Sequence, residues 1–399
     1  MYNSFAAKAA SRINNKLLQR KVVRAAIVGL GKMGLSHFAI VNAHPRLSLQ
    51  AVCDSSNYLL EILGRNTGVK TYSDYNELLA KEQLDCLFIA TPSSSHASMV
   101  EAALRRGLAV FCEKPFVLDP AVGYRLADLA DSARVANQVG YHFRFVATFA
   151  EARRLLDLEL LGRIHHVRAE AYGPVVLRQA GSSWRSRKTE GGGALFDYAC
   201  HAIDMLNHLF GLPSAVSGTI FNSVFSEAVE DEIYSNLHYS GGMSGQLAVN
   251  WSDESTRKMS LRIHAWGTNG RMSIDRQEMQ IYLRKAHAGQ GLEQGWNTRD
   301  TTALTRPVWF YLRGEEYSAQ IDHFVECIER GATPITSFRT ASDTDLIAGM
   351  MRADSETTRT VIALPERGAA SATARQVVDT PRGLRRMARW FGARGESRA

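Results

Sequence analysis

Two short segments of the chain carry side chains that are suited to acid–base chemistry. The first is Glu113-Lys114-Pro115, which comes directly after an apolar run typical of a buried strand. The second is a run of three glycines, residues 191–193, that leads into a helical pattern containing Asp197 and His201. Residues four apart lie on one helix face, where a carboxylate can orient an imidazole for proton exchange near neutral pH. These segments predict a catalytic set of Lys114, Asp197 and His201.

Two other interpretations of the Asp and His pair are open at this point. Both residue types bind metal ions, but no third cluster of ligands is apparent in the sequence. A structural interpretation has Asp197 as a helix cap and His201 as part of the core. We predict no metal and keep the catalytic interpretation as the leading one.

A glycine-rich segment, Gly29-Leu30-Gly31-Lys32-Met33-Gly34, lies between an apolar strand pattern and a helical pattern. A second strand pattern ends in Asp54, about 20 residues further on. This order of strand, glycine turn, helix and acid is the context that a dinucleotide-binding fold requires. Gly29 would form the tight turn, Gly31 would let the backbone approach a pyrophosphate, and Gly34 would let the helix pack on the strand.

Asp54 predicts which nicotinamide dinucleotide binds. Its carboxylate would accept hydrogen bonds from the adenosine ribose and repel a 2′-phosphate, and Ser55-Ser56 supply no positive charge for that phosphate. We expect NAD as the cofactor, with NADP as the alternative. Burial beside the cationic nicotinamide would lower the pKa of Lys114. The residues expected to contact the cofactor are Gly29, Gly31, Lys32, Met33, Gly34, Asp54, Thr91, Pro92, His96, Glu113 and Lys114.

Strand and helix patterns alternate from residue 22 to about residue 145, which predicts crossover connections and a parallel sheet. The glycine turn, Asp54, Thr91-Pro92, Glu113-Lys114-Pro115 and Tyr141-His142 each follow a predicted strand. Ligands bind at the carboxyl ends of the strands in such sheets. These five segments should therefore meet in one crevice.

From about residue 146 the sequence reads as alternating strands with few helices, which predicts a largely antiparallel open sheet. Residues 286–310 show little periodicity and are predicted to be a loop. The predicted fold class is α/β: an N-terminal Rossmann doubly wound parallel sheet plus a C-terminal α+β domain with a large, mostly antiparallel open sheet. The predicted divisions are a basic amphipathic extension (1–21), an NAD(P)-binding domain (22–145), a substrate and oligomerisation domain (146–364) and a basic, mobile tail (365–399).

The net charge of +7 is concentrated at the two ends of the chain. Six basic residues and no acid occur up to Arg24, and seven arginines stand against two acids from residue 372 onward. The basic charge therefore says little about the folded part, and we predict no nucleic-acid partner. Both ends are amphipathic, so contact with an anionic membrane surface is one interpretation. Residues 1–20 have two other interpretations: a mitochondrial presequence or a solvated extension.

Five cysteines, an odd number without paired spacing, argue against a disulfide framework or a zinc site. They favour a reducing compartment, and no apolar run reaches membrane-spanning length. We predict a cytoplasmic protein, with peripheral membrane contact through the basic tails as an additional expectation.

The motifs together resemble the glucose–fructose oxidoreductase / inositol dehydrogenase / MocA family. The resemblance spans roughly residues 22–364, in the order and spacing of the family. It implies an NAD(P)-dependent oxidoreductase that acts on a sugar, a sugar derivative such as a nucleotide sugar, or a cyclitol. It also implies a homo-oligomer, a dimer or tetramer, assembled through the open sheet. The segments that carry it are Ala26-Ile27-Val28-Gly29-Leu30-Gly31-Lys32-Met33-Gly34, Ala90-Thr91-Pro92, Cys112-Glu113-Lys114-Pro115, Gly140-Tyr141-His142-Phe143-Arg144-Phe145 and the Gly-Gly-Gly-x-x-x-Asp-x-x-x-His run.

The resemblance further implies roles for individual residues. His201 would take the hydroxyl proton as a hydride leaves the carbon for nicotinamide, and Lys114 would hydrogen-bond the reacting oxygen. Asp197 would bind a neighbouring hydroxyl or orient His201. Contacts with substrate or cofactor are expected from His142, Arg144, Trp184 and Arg185. A catalytically silent dinucleotide-binding regulator of the same fold is the alternative function, and the presence of the complete catalytic set argues against it.

Overall fold

The computed structural model describes residues 22–175 and 184–357, together with the backbone of two short paired strands, Val361–Ile362 and Val377–Val378. The predicted extension at 1–21 and most of the predicted tail at 365–399 lie outside these residues. Among the described helices, none combines the length and the apolar composition that crossing a bilayer requires.

The first sheet is built from six strands that pair only in parallel. They are β1 (Val23–Val28), β2 (Leu47–Cys53), β3 (Lys70–Tyr72), β4 (Cys86–Ile89), β5 (Ala109–Cys112) and β6 (Asn137–Val139). Their order is β3-β2-β1-β4-β5-β6. This is the order of a doubly wound dinucleotide-binding domain, in which the direction of winding reverses between β1 and β4. The predicted Rossmann sheet is confirmed.

Apolar residues on both faces of this sheet are covered, which is why its central strands are apolar throughout. β4 and β5 are buried over their whole length, and alternate residues of β1 belong to two different core clusters. The helices between the strands are α1 (Lys32–Ala43), α2 (Asn57–Thr67), α3 (Tyr75–Lys81), α4 (His96–Leu104) and α5 (Pro120–Ala133).

The second sheet has eight strands and is largely antiparallel, as predicted. The strands are β7 (Ile164–Tyr172), β8 (Ala215–Asn222), β9 (Glu232–His238), β10 (Ser244–Asn250), β11 (Ser260–Gly267), β12 (Gly270–Ile274), β13 (Glu278–Leu283) and β14 (Gly295–Asp300). Their order is β14-β13-β12-β11-β7-β10-β9-β8, and only β7 and β10 pair in parallel. Residues of α6 (Ala147–Asp157) and α7 (Cys200–Phe210) share a core with the buried face of this sheet.

One strand lies where the sequence predicts a loop. β14 falls within residues 286–310, and the short helix α8 (Thr301–Leu304) follows it. β14 is an edge strand in which no residue is fully buried, so it does not need the apolar alternation that identifies the other strands. The loop prediction for this stretch is wrong.

The last two long helices return to the first sheet. These are α9 (Glu315–Arg330) and α10 (Phe338–Glu356). The ring of Phe324 in α9 lies 5.6 Å from that of Phe88 and 5.9 Å from that of Phe111, both in the first sheet. Phe338 stacks on Phe116 at 4.2 Å. Residues of the predicted second domain thus complete the core of the first, while the boundary at 145/146 itself stays a prediction.

Replacing Phe324 tests this return of the chain. We expect Phe324→Ala to lower the free energy of unfolding by about 3–5 kcal/mol, because it leaves a cavity between α9 and the first sheet. Chemical denaturation followed by circular dichroism measures the change. The control is Tyr58→Ala, which truncates an aromatic side chain that is 70% exposed. Equal stability of the two variants would contradict the packing described here.

Candidate active site

A cavity of about 800 Å³ opens beside the carboxyl ends of β5 and β6. The glycine turn and the segments that follow these strands line one side, and α7 with loops of the second sheet lines the other. Parallel α/β sheets bind ligands at this position. The predicted site residues that line the cavity are Lys32, Met33, Glu113, Lys114, His142, Arg185, Asp197 and His201.

The glycine turn has the close backbone approaches that its sequence predicts. Gly29 has a φ of +90°, and a Cβ added there would lie 2.6 Å from the carbonyl oxygen of Ala90. A Cβ at Gly34 would lie 1.8 Å from the carbonyl oxygen of Gly29. At Gly31 the same construction meets no atom within 4 Å. The turn is therefore closed toward the protein and open at Gly31, which fits a bound pyrophosphate at the start of α1.

Asp54 lies at the end of β2 beside this turn. One carboxylate oxygen accepts a hydrogen bond from the backbone N–H of Leu30 at 2.5 Å, and the other accepts from that of Ser56 at 2.7 Å. These two bonds fix a half-buried carboxylate next to the glycine turn. The residues present therefore fit an NAD molecule, with Asp54 at the ribose.

His96 holds two loops together and does not line the cavity. Its ring is fully buried, with Nε2 3.0 Å from the carbonyl oxygen of Thr91 and Nδ1 3.0 Å from that of Pro115. Both nitrogens are thus engaged with backbone, which leaves none for the predicted cofactor contact. Thr91 and Pro92 follow β4, and the backbone of Thr91 closes on Gly29, so this loop supports the glycine turn.

Glu113 is oriented by a histidine that the sequence analysis missed. The Nε2 of His37, a fully buried residue of α1, lies 2.7 Å from Glu113 Oε1. Burial opposes ionisation of Glu113, yet the hydrogen bond and charge of His37 and the charge of Lys114 hold its pKa below its ordinary value. His37 lies three residues after Gly34 on the inner face of α1. That position in the helix was the only sequence signal that could have identified His37 as a partner of Glu113.

Lys114 and Asp197 form a direct ion pair at the cavity wall, between the end of the first sheet and the turn before α7. Lys114 Nζ donates to a carboxylate oxygen and to the backbone carbonyl oxygen of Asp197, both at 2.9 Å. Arg185 Nε donates to the other carboxylate oxygen, also at 2.9 Å. Although burial opposes its charge, Asp197 is held by Lys114 and Arg185 at a pKa of about 2.

The pKa of Lys114 differs from the sequence expectation. Burial is the largest single influence and lowers it, but the charge and hydrogen bond of Asp197 and the charge of the Cys200 side chain together raise the pKa of Lys114 above its ordinary value. The lysine is therefore a stable cation and a hydrogen-bond donor in this structure.

His201 is buried beside this pair and is neutral. Burial, followed by the charges of Lys114, His142 and Arg276, holds the pKa of His201 well below its ordinary value. Its Nδ1 has no hydrogen-bond partner among the described residues, so no hydrogen bond from this atom orients the ring toward Asp197 there. The residues Leu195–Ala199 form a π-helical turn before α7. The prediction that Asp197 and His201 share one face of a regular α-helix is therefore wrong in detail. Both side chains nevertheless line the cavity.

The remaining predicted contacts divide between the cavity and the core. His142 lines the cavity and stacks on Tyr317 at 4.7 Å. Arg144 does not line it: its guanidinium is buried and bound to both carboxylate oxygens of Asp204, at 2.9 and 2.6 Å. The prediction of a ligand contact by Arg144 is not supported, because this ion pair occupies its donors. The side chain of Trp184 lies outside the described residues.

Several lining residues escaped the sequence analysis. Arg276 follows β12, Arg313 precedes α9, and Tyr317 lies in the first turn of α9. They are distant in sequence from every motif: the return of α9 to the first sheet brings Arg313 and Tyr317 to the cavity, and the turn after β12 brings Arg276 there. The others that line it include Pro174, Val175, Ser186, Tyr198, Phe225, Val229, Trp251, Lys258 and Met259.

Two models of one protein family match successive parts of the chain. The model described as "Oxidoreductase family, NAD-binding Rossmann fold" matches residues 23–141, and the "GFO/IDH/MocA C-terminal domain" matches residues 149–273. Together they cover both sheets up to β12.

Curated relatives match over most of their length. Scyllo-inositol 2-dehydrogenase (NAD(+)) of Bacillus subtilis (strain 168) is 27% identical over 324 residues, which is 79% of this chain and 89% of that protein. D-apiose dehydrogenase of Paraburkholderia graminis is 25% identical over 332 residues, 80% and 84% of the two chains. A putative UDP-kanosamine synthase oxidoreductase subunit of Amycolatopsis mediterranei (strain S699) is 30% identical over 274 residues, 62% and 74%.

Solved structures share the fold. Levoglucosan dehydrogenase in complex with NADH and levoglucosan superposes with a TM-score of 0.75 at 21% identity, over 84% of this chain and 96% of that one. GenD2 from gentamicin A biosynthesis in complex with NAD gives a TM-score of 0.69 at 26% identity, over 84% and 95%. With the family matches and the 30% identical relative, these findings show that the chain belongs to the GFO/IDH/MocA family of oxidoreductases.

Proposed function

We propose that the chain is an NAD-dependent dehydrogenase or reductase acting on a hydroxyl or keto carbon of a sugar, a sugar derivative or a cyclitol. One observation carries the proposal: the Lys114–Asp197 pair and the neutral His201 line the same cavity as the glycine turn. The names of the relatives support the substrate class, since they include dehydrogenases of scyllo-inositol and of D-apiose.

The chain's own side chains supply the acid–base part of the reaction. When bound, NAD exchanges a hydride between its nicotinamide ring and the substrate carbon. In the oxidation direction, an imidazole nitrogen of neutral His201 takes the proton of the substrate hydroxyl and releases it to solvent. Lys114 donates a hydrogen bond to the same oxygen and stabilises the negative charge that develops there. In reduction the proton moves in the opposite direction, from His201 to the carbonyl oxygen.

Asp197 acts on this chemistry through Lys114. Its carboxylate keeps the buried ammonium charged, so that Lys114 remains a donor throughout the cycle. The silent regulator is the alternative function, but such a protein has no need of a charged lysine and a neutral histidine facing a dinucleotide site.

The outer face of the second sheet supports the proposal of a homo-oligomer. Trp296 is 56% exposed and packs against Tyr282 at 5.5 Å, and the guanidinium of Arg271 lies 5.2 Å from the ring centre of Trp296. Exposed aromatic patches of this kind mark interfaces. Analytical ultracentrifugation that detects only monomer at micromolar concentration would contradict a dimer or tetramer.

We also propose a cytoplasmic location, since all five cysteines are buried and free. Membrane contact through the basic tails rests on residues outside the described ones. Equal binding of the full chain and a chain trimmed to 22–365 to anionic liposomes would contradict it.

Asp54 should set the cofactor preference. We expect the protein to bind NADH more tightly than NADPH, because the Asp54 carboxylate repels a 2′-phosphate. Asp54→Ser should narrow the NADH/NADPH affinity ratio by roughly 10- to 100-fold, the effect of losing a hydrogen bond to a charged group. Titration of cofactor fluorescence measures both affinities. A wild-type preference for NADPH would show that this carboxylate does not select the cofactor.

His201 should be needed for turnover but not for cofactor binding. We expect His201→Ala to lower kcat by about 10²–10⁴-fold, the usual effect of removing a general acid–base group, with NADH affinity nearly unchanged. His208→Ala is the matched control, since His208 lies in the same helix but does not line the cavity. An undiminished rate in the first variant would remove His201 from the mechanism.

The pH dependence of the rate should report the Lys114–Asp197 pair. The pKa of His201 is lowered and that of Lys114 is raised, so the wild-type kcat/KM should stay flat from about pH 6.5 to about pH 10. In Asp197→Asn, burial acts on Lys114 unopposed. The pKa of Lys114 then falls. The pH at which kcat/KM declines on the alkaline side should therefore be lower than in the wild type by roughly 1–3 pH units. An unmoved alkaline limb would show that the charge of Lys114 is not required.

A further inference from the structure

Positive charge predominates around the cavity. Within the part of the chain that the structure describes, six cationic side chains line it and only two carboxylates do. The cations are Lys32, Lys114, Arg185, Lys258, Arg276 and Arg313, and the carboxylates are Glu113 and Asp197. The excess is large for a site that would hold only a neutral sugar and a dinucleotide.

Half of these cations already have carboxylate partners. Lys114 and Arg185 share Asp197, and Arg276 contacts the buried carboxylate of Glu316. For Lys32, Lys258 and Arg313, no ion pair with a carboxylate is formed among residues 22–175 and 184–357. These three charges remain for whatever occupies the cavity.

NAD accounts for one of the three. Lys32 directly follows Gly31 at the start of α1, where the pyrophosphate of a dinucleotide lies against the helix amides. The oxidised cofactor has two negative phosphates and a positive ring, which is a single net negative charge. A neutral substrate would leave Lys258 and Arg313, two exposed side chains at the cavity, without a carboxylate or phosphate partner among the described residues.

Arg313 is held toward the reacting centre. Its guanidinium lies 5.4 Å from the ring centre of Tyr317, which stacks on His142, and the His142 ring lies 5.0 Å from that of His201. Arg313 also has a φ of +68°, a conformation that is uncommon for residues other than glycine and that clusters at functional sites. Burial, followed by the charges of Arg276, Lys114 and Arg313, holds the pKa of His142 well below its ordinary value.

The wall formed by loops of the second sheet carries Lys258 beside apolar side chains. Met259, the next residue, packs so close to Gly173 that a Cβ there would lie 3.1 Å from the Met259 Cα and 2.4 Å from the hydroxyl oxygen of Tyr198. Trp251, buried in this wall, has an indole N–H without a partner among the described residues. This wall thus offers an apolar surface and a spare donor in addition to the charge of Lys258.

We infer that the substrate is an anionic sugar, carrying a carboxylate or a phosphate in addition to the reacting hydroxyl, and that Arg313 binds this group with the assistance of Lys258. The inference rests on the proposed function and narrows its substrate class. A guanidinium binds such oxyanions with two parallel hydrogen bonds. A neutral cyclitol or sugar would lack the group that these side chains are placed to bind.

The test measures ligand binding to the full-length protein loaded with NADH, by the change in fluorescence of the bound cofactor. The probes are glucose, glucuronate, glucose 6-phosphate and uridine diphosphate glucose. We expect at least one anionic probe to bind at least 10-fold more tightly than glucose, and this advantage to shrink as salt is raised. Glucuronate as the preferred probe would identify a carboxylate, and either of the other two a phosphate.

Substitutions at the two cations locate the binding group. Arg313→Gln should weaken the preferred anionic probe by roughly 10- to 100-fold, and Lys258→Gln should weaken it less, with glucose and NADH binding unchanged in both. Lys285→Gln, a change at an exposed lysine outside the cavity, is the control and should have no effect.

Three outcomes would overturn the inference. The first is glucose binding as tightly as every anionic probe. The second is Arg313→Gln weakening NADH instead of the probe, which would assign this arginine to the cofactor phosphates. The third is neutral sugars reducing NAD as fast as anionic ones, in which case the dehydrogenase proposal stands and only the substrate class is wrong. Failure of the protein to bind NADH at all would instead contradict the proposed function.

Discussion

The buried ion pair between Lys114 and Asp197 is the interaction on which the site depends. Lys114 without Asp197 would be a buried charge without compensation, a situation that costs about 3–5 kcal/mol, and Asp197 without Lys114 would keep only Arg185 as a cationic partner. Lys114 belongs to the end of β5 in the first sheet, and Asp197 belongs to the π-helical turn before α7. The pair therefore requires the two halves of the molecule to meet in one arrangement. The same arrangement produces a charged lysine beside a neutral histidine.

A second buried pair fixes the arrangement from the other side of the core. Arg144 follows β6, Asp204 lies in α7, and the guanidinium also donates to the backbone carbonyl oxygen of Ile335 at 2.6 Å. Three distant segments are thereby joined at one side chain. We regard Arg144 as a structural counterpart of Lys114: each cation leaves the first sheet and is neutralised by an acid of the α7 region.

The sequence was sufficient to place a site residue wherever the same short segment determines both the local fold and the chemistry. The glycine turn, Asp54 and the strand that precedes Lys114 could all be placed, because their chemistry depends on neighbours within about 25 residues. The ligand contact predicted for Arg144 is not supported, because the sequence does not distinguish an arginine that contacts a ligand from an arginine in a buried ion pair. β14 was missed because an edge strand with no buried residue has no apolar period. Arg276 and Arg313 could not be found, since their approach to the cavity depends on where the turn after β12 and the start of α9 lie in the folded chain.

The docking of α9 has a consequence for how the protein is made. The sixth strand of the first sheet ends at Val139, and one of the helices that cover the face around Phe88 begins at Glu315. During synthesis from the amino end, the apolar residues around Phe88 and Phe111 are not fully covered until the whole second sheet and then α9 have been synthesised. Domains that precede others in a chain usually fold first, but the core of this one stays incomplete until α9 has been synthesised. The first domain can therefore complete its core only after the chain of the second sheet has been synthesised.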